Sequence, residues 1–264
     1  MGKLRIHAAR AMIRAGSLIQ SLAIAVMRTD DLVEYSRRTY DQPGQVAAWG
    51  SEEFVANGLN EVEKELLDRS SVRAGKLLLL GIGGGREALA LADRDFSVTG
   101  VDFVPTMVER ALENARKRGV ALEGLAMEAT SLKLPENEYA LVWFSPRQYS
   151  VTPTRKRRVA LLRKLHASLR PAGCVICQFH WDPARSHSSR SLALHRILAW
   201  ITCGYLGYEP GDMLWRQGEF LHAFSKRKEL MREFTAAGFV VEHLETHDEG
   251  VAGAAILRKP KDPA

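Results

Sequence analysis

The sequence predicts a doubly wound α/β fold, and three observations predict it. From Lys76 onward, short apolar runs alternate with helical stretches, the texture of a parallel sheet joined by crossover helices. One of these runs, Leu77-Leu78-Leu79-Leu80, leads straight into the glycine-rich Gly81-Ile82-Gly83-Gly84-Gly85-Arg86. The next run ends at Val101-Asp102, a spacing that fits one β–α–β unit.

The chain has 264 residues, enough for one elaborated domain whose core needs no disulfide or metal to hold it. Its 46% hydrophobic and 26% charged residues are those of an ordinary soluble globular protein. No low-complexity segment is present, and no repeat at solenoid or propeller periods. A net charge of +6 is mildly favourable to polyanions and says nothing about fold.

Residues 1–75 are expected to form a helical cap. Before Asp30 there is no acidic residue, whereas Lys3, Arg5, Arg10, Arg14 and Arg28 are basic. From Ile6 to Met27 the pattern is helical, with Met12, Ala15, Ile19, Leu22 and Val26 on one face and Arg10, Arg14, Ser17 and Ser21 on another. The uninterrupted apolar stretch is too short to span a bilayer. Two readings follow, a helix packed on its own domain by that face and a basic helix lying in a membrane interface. Between Asp31 and Asp68 further helices are punctuated by Pro43-Gly44 and Gly50, with Tyr35, Tyr40 and Trp49 among them.

In the main domain, 76–258, strands are expected at about 76–80, 97–101, 122–127, 139–144, 174–179, 239–244 and 252–258, with helices at about 86–93, 105–118, 154–169 and 226–237. An insert at 180–225 is far longer than an ordinary connection and holds the apolar helical run Leu192–Ile201. Residues 259–264 read as a tail. Cys174 and Cys177 spell C-x-x-C, but on a strand three residues advance about 10 Å and point the thiols to opposite faces. They read as buried structural cysteines of a cytoplasmic protein.

The glycine-rich loop lets a ligand approach the backbone, and the helix behind it offers free N–H groups and a positive dipole end. A carboxylate at Asp102, closing the second strand, can accept hydrogen bonds from both hydroxyls of a ribose. Gly83-x-Gly85-x-x-Ala88 also fits a dinucleotide fingerprint, leaving a nicotinamide enzyme as one alternative.

Gly81-Ile82-Gly83-Gly84-Gly85-Arg86 followed by Val98-Thr-Gly-Val-Asp102-Phe103-Val-Pro105-Thr-Met107 resembles the first two motifs of the class I S-adenosylmethionine (SAM)-dependent methyltransferases. The resemblance runs on through Met127-Glu128-Ala129, Tyr139–Ser145, Leu169-Arg-Pro171-Ala-Gly173 and Ala236-Ala-Gly238-Phe239, and so covers 76–258. It implies a seven-stranded Rossmann-like sheet with an antiparallel seventh strand, SAM as methyl donor, S-adenosylhomocysteine as product and no metal. On it, Gly81, Ile82, Gly83 and Gly85 cradle the methionine and ribose portions. Asp102 and Phe103 hold the nucleoside, Glu128 and Ala129 face the adenine, and Ser145 ends the fourth strand, which opens onto the methyl group. The cap at 30–75 is expected to bring Tyr35 and Tyr40 near the cofactor. Two positions depart from the family. Leu79 stands where an acid often faces the methionine amine, and Ala140 replaces a frequent Asp.

Candidates for the chemistry must sit at the carboxyl ends of the strands. His180 directly follows the fifth strand and Tyr149 follows the fourth, so these two are the catalytic candidates. His222 reads as structural, just ahead of a helix N-cap at Ser225. His243 and His247 straddle a strand end rather than sharing a helix face, which disfavours a metal there. Arg155-Lys-Arg-Arg158 with Arg163 and Lys164 begins an amphipathic helix and reads as its solvated face rather than a nucleic-acid patch. Nor does Ser145-Pro146-Arg147-Gln148 carry the second proline and aromatic of nucleobase-amine methyltransferases. The expected acceptor is therefore a small, lipophilic molecule, with membrane contact through the N-terminal helix and no nucleic acid. The alternatives are a nucleic-acid methyltransferase, the nicotinamide enzyme and a SAM-binding protein without catalysis.

Overall fold

The computed structural model describes residues 2–184, 189–216, 218–246 and 252–261. Five helices precede the sheet: α1 (Gly2–Val26), α2 (Thr29–Tyr40), α3 (Pro43–Trp49), α4 (Glu52–Ala56) and α5 (Glu61–Ser70). Then strands and helices alternate as β1 (Gly75–Leu80), α6 (Arg86–Ala92), β2 (Phe96–Asp102), α7 (Pro105–Lys117), β3 (Glu123–Ala126), β4 (Tyr139–Phe144), α8 (Arg155–Ser168) and β5 (Leu169–His180). The insert contributes α9 (Ser189–Ile201) and a hairpin, β6 (Asp212–Trp215) with β7 (Glu219–His222); α10 (Arg227–Ala236), β8 (Val240–Thr246) and β9 (Ala252–Arg258) close the chain.

The main sheet is seven-stranded in the order β3-β2-β1-β4-β5-β9-β8, with β9 antiparallel between β5 and β8. This is the architecture the sequence predicts, and the expected strands and helices recur within a few residues. The largest shift is β5, which starts at Leu169 rather than 174 because its register slips opposite Tyr139 and Leu141, letting the pairing run on past Pro171. Leu77–Leu80 are all fully buried because helices cover both faces of a parallel sheet. Leu78 and Leu80 pack with Val142, Phe144, Leu162 and Phe234; Leu77 and Leu79 pack with Ala88, Val108 and Trp143 on the other side. Cys174 and Cys177 fall into opposite clusters, as the strand periodicity requires.

Local sequence sets the pieces that aim the site. Asn60 and Glu63 form a reciprocal cap at the start of α5, each side chain accepting the other's backbone N–H at 2.9 and 2.8 Å. Glu63 also grips Arg86, tying α5 to the first turn of the helix behind the glycine loop. On the opposite side, α2 is fixed to the insert: Phe220 donates its backbone N–H to Ser36 Oγ at 2.8 Å, and Ser36 donates to Leu32 O.

Three expectations need correction. Met12, Ile19 and Val26 were the face expected to pack, yet they are 75%, 70% and 47% exposed, whereas Ile24 and Ala25 are buried. The last turns of α1 meet the insert: Ser21 O bonds His195 Nε2 of α9 at 2.9 Å, and Ala25 O accepts the Tyr205 N–H. Secondly, Arg5–Val26, at 22 residues and a mean hydropathy of 1.2, is long and apolar enough to cross a bilayer by length and composition. Thirdly, Lys226 rather than Ser225 caps α10, and the β6–β7 hairpin ahead of it was not foreseen. His247 and residues 262–264 lie outside the described residues; His243 Nε2 pairs with Glu245 on β8 at 3.1 Å.

Candidate active site

The cradle is built where β1 and β2 end side by side. Gly81 and Ile82 both donate backbone N–H groups to Val101 O, and Gly83 donates to Asp102 Oδ2 at 3.0 Å. Asp102 Oδ1 takes the Val104 N–H at 3.0 Å, so the carboxylate is oriented by the loop it faces. Burial nevertheless raises its pKa from 3.8 to about 6, against the lowering effect of the Gly83, Val104 and Phe103 N–H groups.

Gly83, at φ +51°, has nothing within 4 Å of where a Cβ would point, so its outer face is open. Gly84 is the opposite case, since a Cβ there would lie 2.3 Å from Trp49 O. The loop therefore closes on the cap through Gly84 and opens to a ligand at Gly83. An inner cavity of about 150 Å³ is lined by Gly81, Ile82, Gly83, Asp102, Phe103, Ser145 and Tyr40, seven of the residues the sequence named. A smaller adjoining cavity reaches Glu128 and Ala129 through Asp102 and Phe103. Gly85 (φ +97°) lines neither cavity; it precedes α6 and packs toward Ala111. Its part is to turn the chain into α6. A polar rim, an open glycine and two linked chambers fit a nucleoside joined to an amino-acid arm.

The missing acid at Leu79 has a neighbour that could replace it. Glu87 lines the inner cavity, is 5% exposed and is drawn by Arg86 Nη2 at 2.8 Å. Glu63 binds the same guanidinium, so two carboxylates share one cation, and burial pushes the Glu87 carboxyl up. Ser145 Oγ beside it donates to Gly81 O at 2.8 Å.

Both catalytic candidates are displaced. Tyr149 is fully buried among Phe144, Phe224 and Phe234 and donates to Glu233 at 2.6 Å. Its pKa is driven up by burial and by that carboxylate, the reverse of what a base needs. His180 is also fully buried, lines none of the three cavities found among the described residues, and stands edge-on behind Trp215 at 4.9 Å. Both follow strands at the correct end of the sheet, but the insert covers them.

The same burial rewrites the basic run. Arg158 is fully buried and bound by Glu233 (2.6 Å) and Glu209 (2.8 Å), and Arg157 pairs with Asp30. Glu209, Asp212 and His222 hold ligand-type atoms within 4.8 Å of one another. Those atoms are engaged already: His222 Nδ1 meets Asp212 at 2.7 Å, its Nε2 meets Glu229 at 3.3 Å, and Arg158 takes Glu209. His222 is thus structural, as expected, and locks the hairpin to α8 and α10.

Sequence reasoning missed Glu219, Arg147, Gln148, Phe54 and Glu87, all of which line the inner cavity. Glu219 carries no local signal, since it reaches the site only through pairing of β7 with β6 and α2.

Residues 77–173 match the family model described as a methyltransferase domain. No curated protein matches the chain in sequence. Among solved structures, a SAM-dependent methyltransferase from Methanosarcina mazei is 21% identical, with a TM-score of 0.59, covering 78% of this chain and all of that one. One from Mesorhizobium loti is 17% identical at a TM-score of 0.55, covering 74% of this chain and 96% of that one. Phosphoethanolamine N-methyltransferase 2 of Haemonchus contortus, solved with S-adenosylmethionine, is 16% identical at 0.56, covering 80% of this chain and 45% of that one. At these identities the structural likeness establishes the fold. With a methyltransferase domain matched at its centre and the same sheet around it, the chain has the fold of the class I SAM-dependent methyltransferases.

Proposed function

We propose that the protein transfers the methyl group of SAM to a small, lipophilic acceptor entering from the cap side. The observation that carries this reading is the open face of Gly83 beside Asp102, in a cavity roofed by Trp49, Phe54 and Tyr40 from the cap. When bound, SAM supplies an electrophilic methyl on a sulfonium. Asp102 holds the ribose, Phe103 and the Glu128–Ala129 chamber take the adenine, and Glu87 answers the amine that Leu79 cannot. The cap residues exclude water and fix the acceptor, positioning that accounts for much of the rate in a displacement of this kind. Burial of Arg158 between Glu233 and Glu209, and the pairing of Arg157 with Asp30, support a small-molecule acceptor over nucleic acid.

The acceptor is proposed to arrive from an anionic membrane surface on the cytoplasmic side. Met12 and Ile19 are exposed on α1, and Ile197, Trp200 and Ile201 are exposed on α9, which packs against α1. Exposed Arg5, Arg10 and Arg28, without an acid before Asp30, supply the charge that anionic lipid attracts. Crossing is disfavoured by Arg10 and Arg14 within the helix and by the docking of its C-terminal turns on α9.

Incubation with radiolabelled SAM and fractionated cell extract tests the activity: label is expected in a small-molecule or lipid fraction. Label only in nucleic acid overturns the acceptor class. Gly83→Val is expected to abolish SAM binding in titration calorimetry, and retained binding in the folded variant removes the cradle assignment.

A further inference from the structure

A third cavity, of about 230 Å³, lies outside the inner one and is lined by Trp215, Arg216, Gln45 and Thr39. Four residues line both cavities: Tyr40, Trp49, Arg147 and Glu219. They form the passage between donor and solvent. Glu219 is its one carboxylate. The side chain sits at the first position of β7, 6% exposed, and accepts the Tyr40 hydroxyl on Oε2 at 2.5 Å. Its Oε1 accepts no hydrogen bond from any described residue.

The other wall is cationic. Arg147 and Arg216 lie 6.0 and 5.7 Å from the centre of the Trp215 ring. Both take left-handed backbone angles, φ +64° and +47°, which are costly for residues with a side chain and here turn them toward this ring. Neither forms an ion pair with any described carboxylate. The wall is held rigidly: Trp215 pairs in register with Glu219, His180 backs the Trp215 ring, and Ser36 pins β7 at Phe220.

We propose that Glu219 is the general base of methyl transfer, and that Arg147 and Arg216 bind an anionic group on the same acceptor. The acceptor class is then a hydroxylated organic acid with an apolar or aromatic body lying along Trp215 and Trp49. This rests on the methyltransferase reading above. In the reaction the acceptor O–H bond breaks and its proton passes to Glu219 Oε1. The acceptor oxygen forms a bond to the methyl carbon as the carbon–sulfur bond breaks, its electron pair remaining on sulfur. Glu219 returns the proton to solvent through the outer cavity. Burial raises the Glu219 carboxyl, opposed by the Tyr40 hydrogen bond and by Arg147 and Arg216, while Asp102 acts on Tyr40. A carboxylate raised in this way is a better base than one in water.

The probes are 4-hydroxyphenylacetate and its uncharged analogue 4-methylphenol, titrated into full-length protein saturated with S-adenosylhomocysteine. The acid is expected to bind at least tenfold more tightly, and the preference should disappear in Arg147→Gln/Arg216→Gln. Equal affinity for both probes overturns the anion subsite. For the base, Glu219→Gln is expected to lower single-turnover methylation of the labelled extract fraction by about a hundredfold, with SAM affinity unchanged. Unimpaired turnover overturns it. Tyr40→Phe removes a hydrogen bond that lowers the Glu219 pKa, so the acidic limb of the pH–rate profile should move to higher pH; an unmoved limb also overturns the assignment. Failure of the methyltransferase reading would look different, since wild-type protein would then neither bind SAM nor label any fraction.

Discussion

The donor half and the acceptor half of this molecule are built by different rules. Around the donor cradle, contacts are local in sequence: Gly83 meets Asp102 across one β–α–β unit, and backbone N–H groups orient the carboxylate. On the acceptor side, contacts join distant segments: Tyr40 to Glu219, Ser36 to Phe220, His195 to Ser21. A backbone-built site is recorded in glycine spacing and strand order. A site built from side chains of remote helices and a hairpin leaves no such record. The acceptor half is also where apolar surface stays exposed, whereas the donor half is closed by helices on both faces.

The sharpest way to break this contrast is at Asp102. Asp102→Ala removes charge-assisted hydrogen bonds to ribose worth about 1.5–3 kcal/mol each, so SAM should bind at least tenfold more weakly in titration calorimetry. A pH series sharpens the point. With the carboxyl raised to about 6, SAM affinity should be full above that pH and fall below it as the group protonates. The stability contribution of the ligand-free protein has the opposite sign. A carboxyl whose folded pKa exceeds its unfolded value favours folding as pH falls from about 6 toward 3.8. Asp102→Asn should flatten both profiles, and an unchanged pH dependence of binding would remove Asp102 from the ribose.

Tyr149 tests whether the neighbouring region belongs to catalysis or to packing. Tyr149→Phe loses a hydrogen bond to a charged Glu233 that keeps Arg158, at a cost of about 1.5–3 kcal/mol in denaturant unfolding. Turnover by the folded variant should be unaffected; a large loss of turnover with native stability would return Tyr149 to the mechanism.

The smallest effect is expected at the outer surface. Met12→Glu/Ile19→Glu should weaken co-sedimentation with vesicles containing phosphatidylserine severalfold, the remainder coming from Trp200 and its neighbours on α9. Binding should fall with salt, because the basic residues of α1 act over a Debye length. Full-length protein that ignores such vesicles would make α1 and α9 a soluble cap only.

The sequence alone determined the sheet, its order of motifs and the glycine loop with its facing acid, because strand alternation, glycine loops and a strand-end acid are short-range consequences of backbone geometry. Asp102, Gly81, Ile82, Gly83, Phe103 and Ser145 were legible for that reason. What only the tertiary structure decided concerns which side chains the cap and insert bring together. Reaching the carboxyl end of the sheet is not the same as reaching the cavity: the insert buries His180 and Tyr149 and presents Glu219 instead. The periodicity of α1 showed an apolar face, but which face packs depended on where the insert lay: Tyr205, just after α9, meets Ala25, and Ile24 packs with Tyr205 and Tyr208. Arg158 looked solvated among its basic neighbours and is buried, since two carboxylates distant in sequence converge on it. Each of these outcomes depends on long-range packing, whose free energy is set by neighbours that no window of sequence contains.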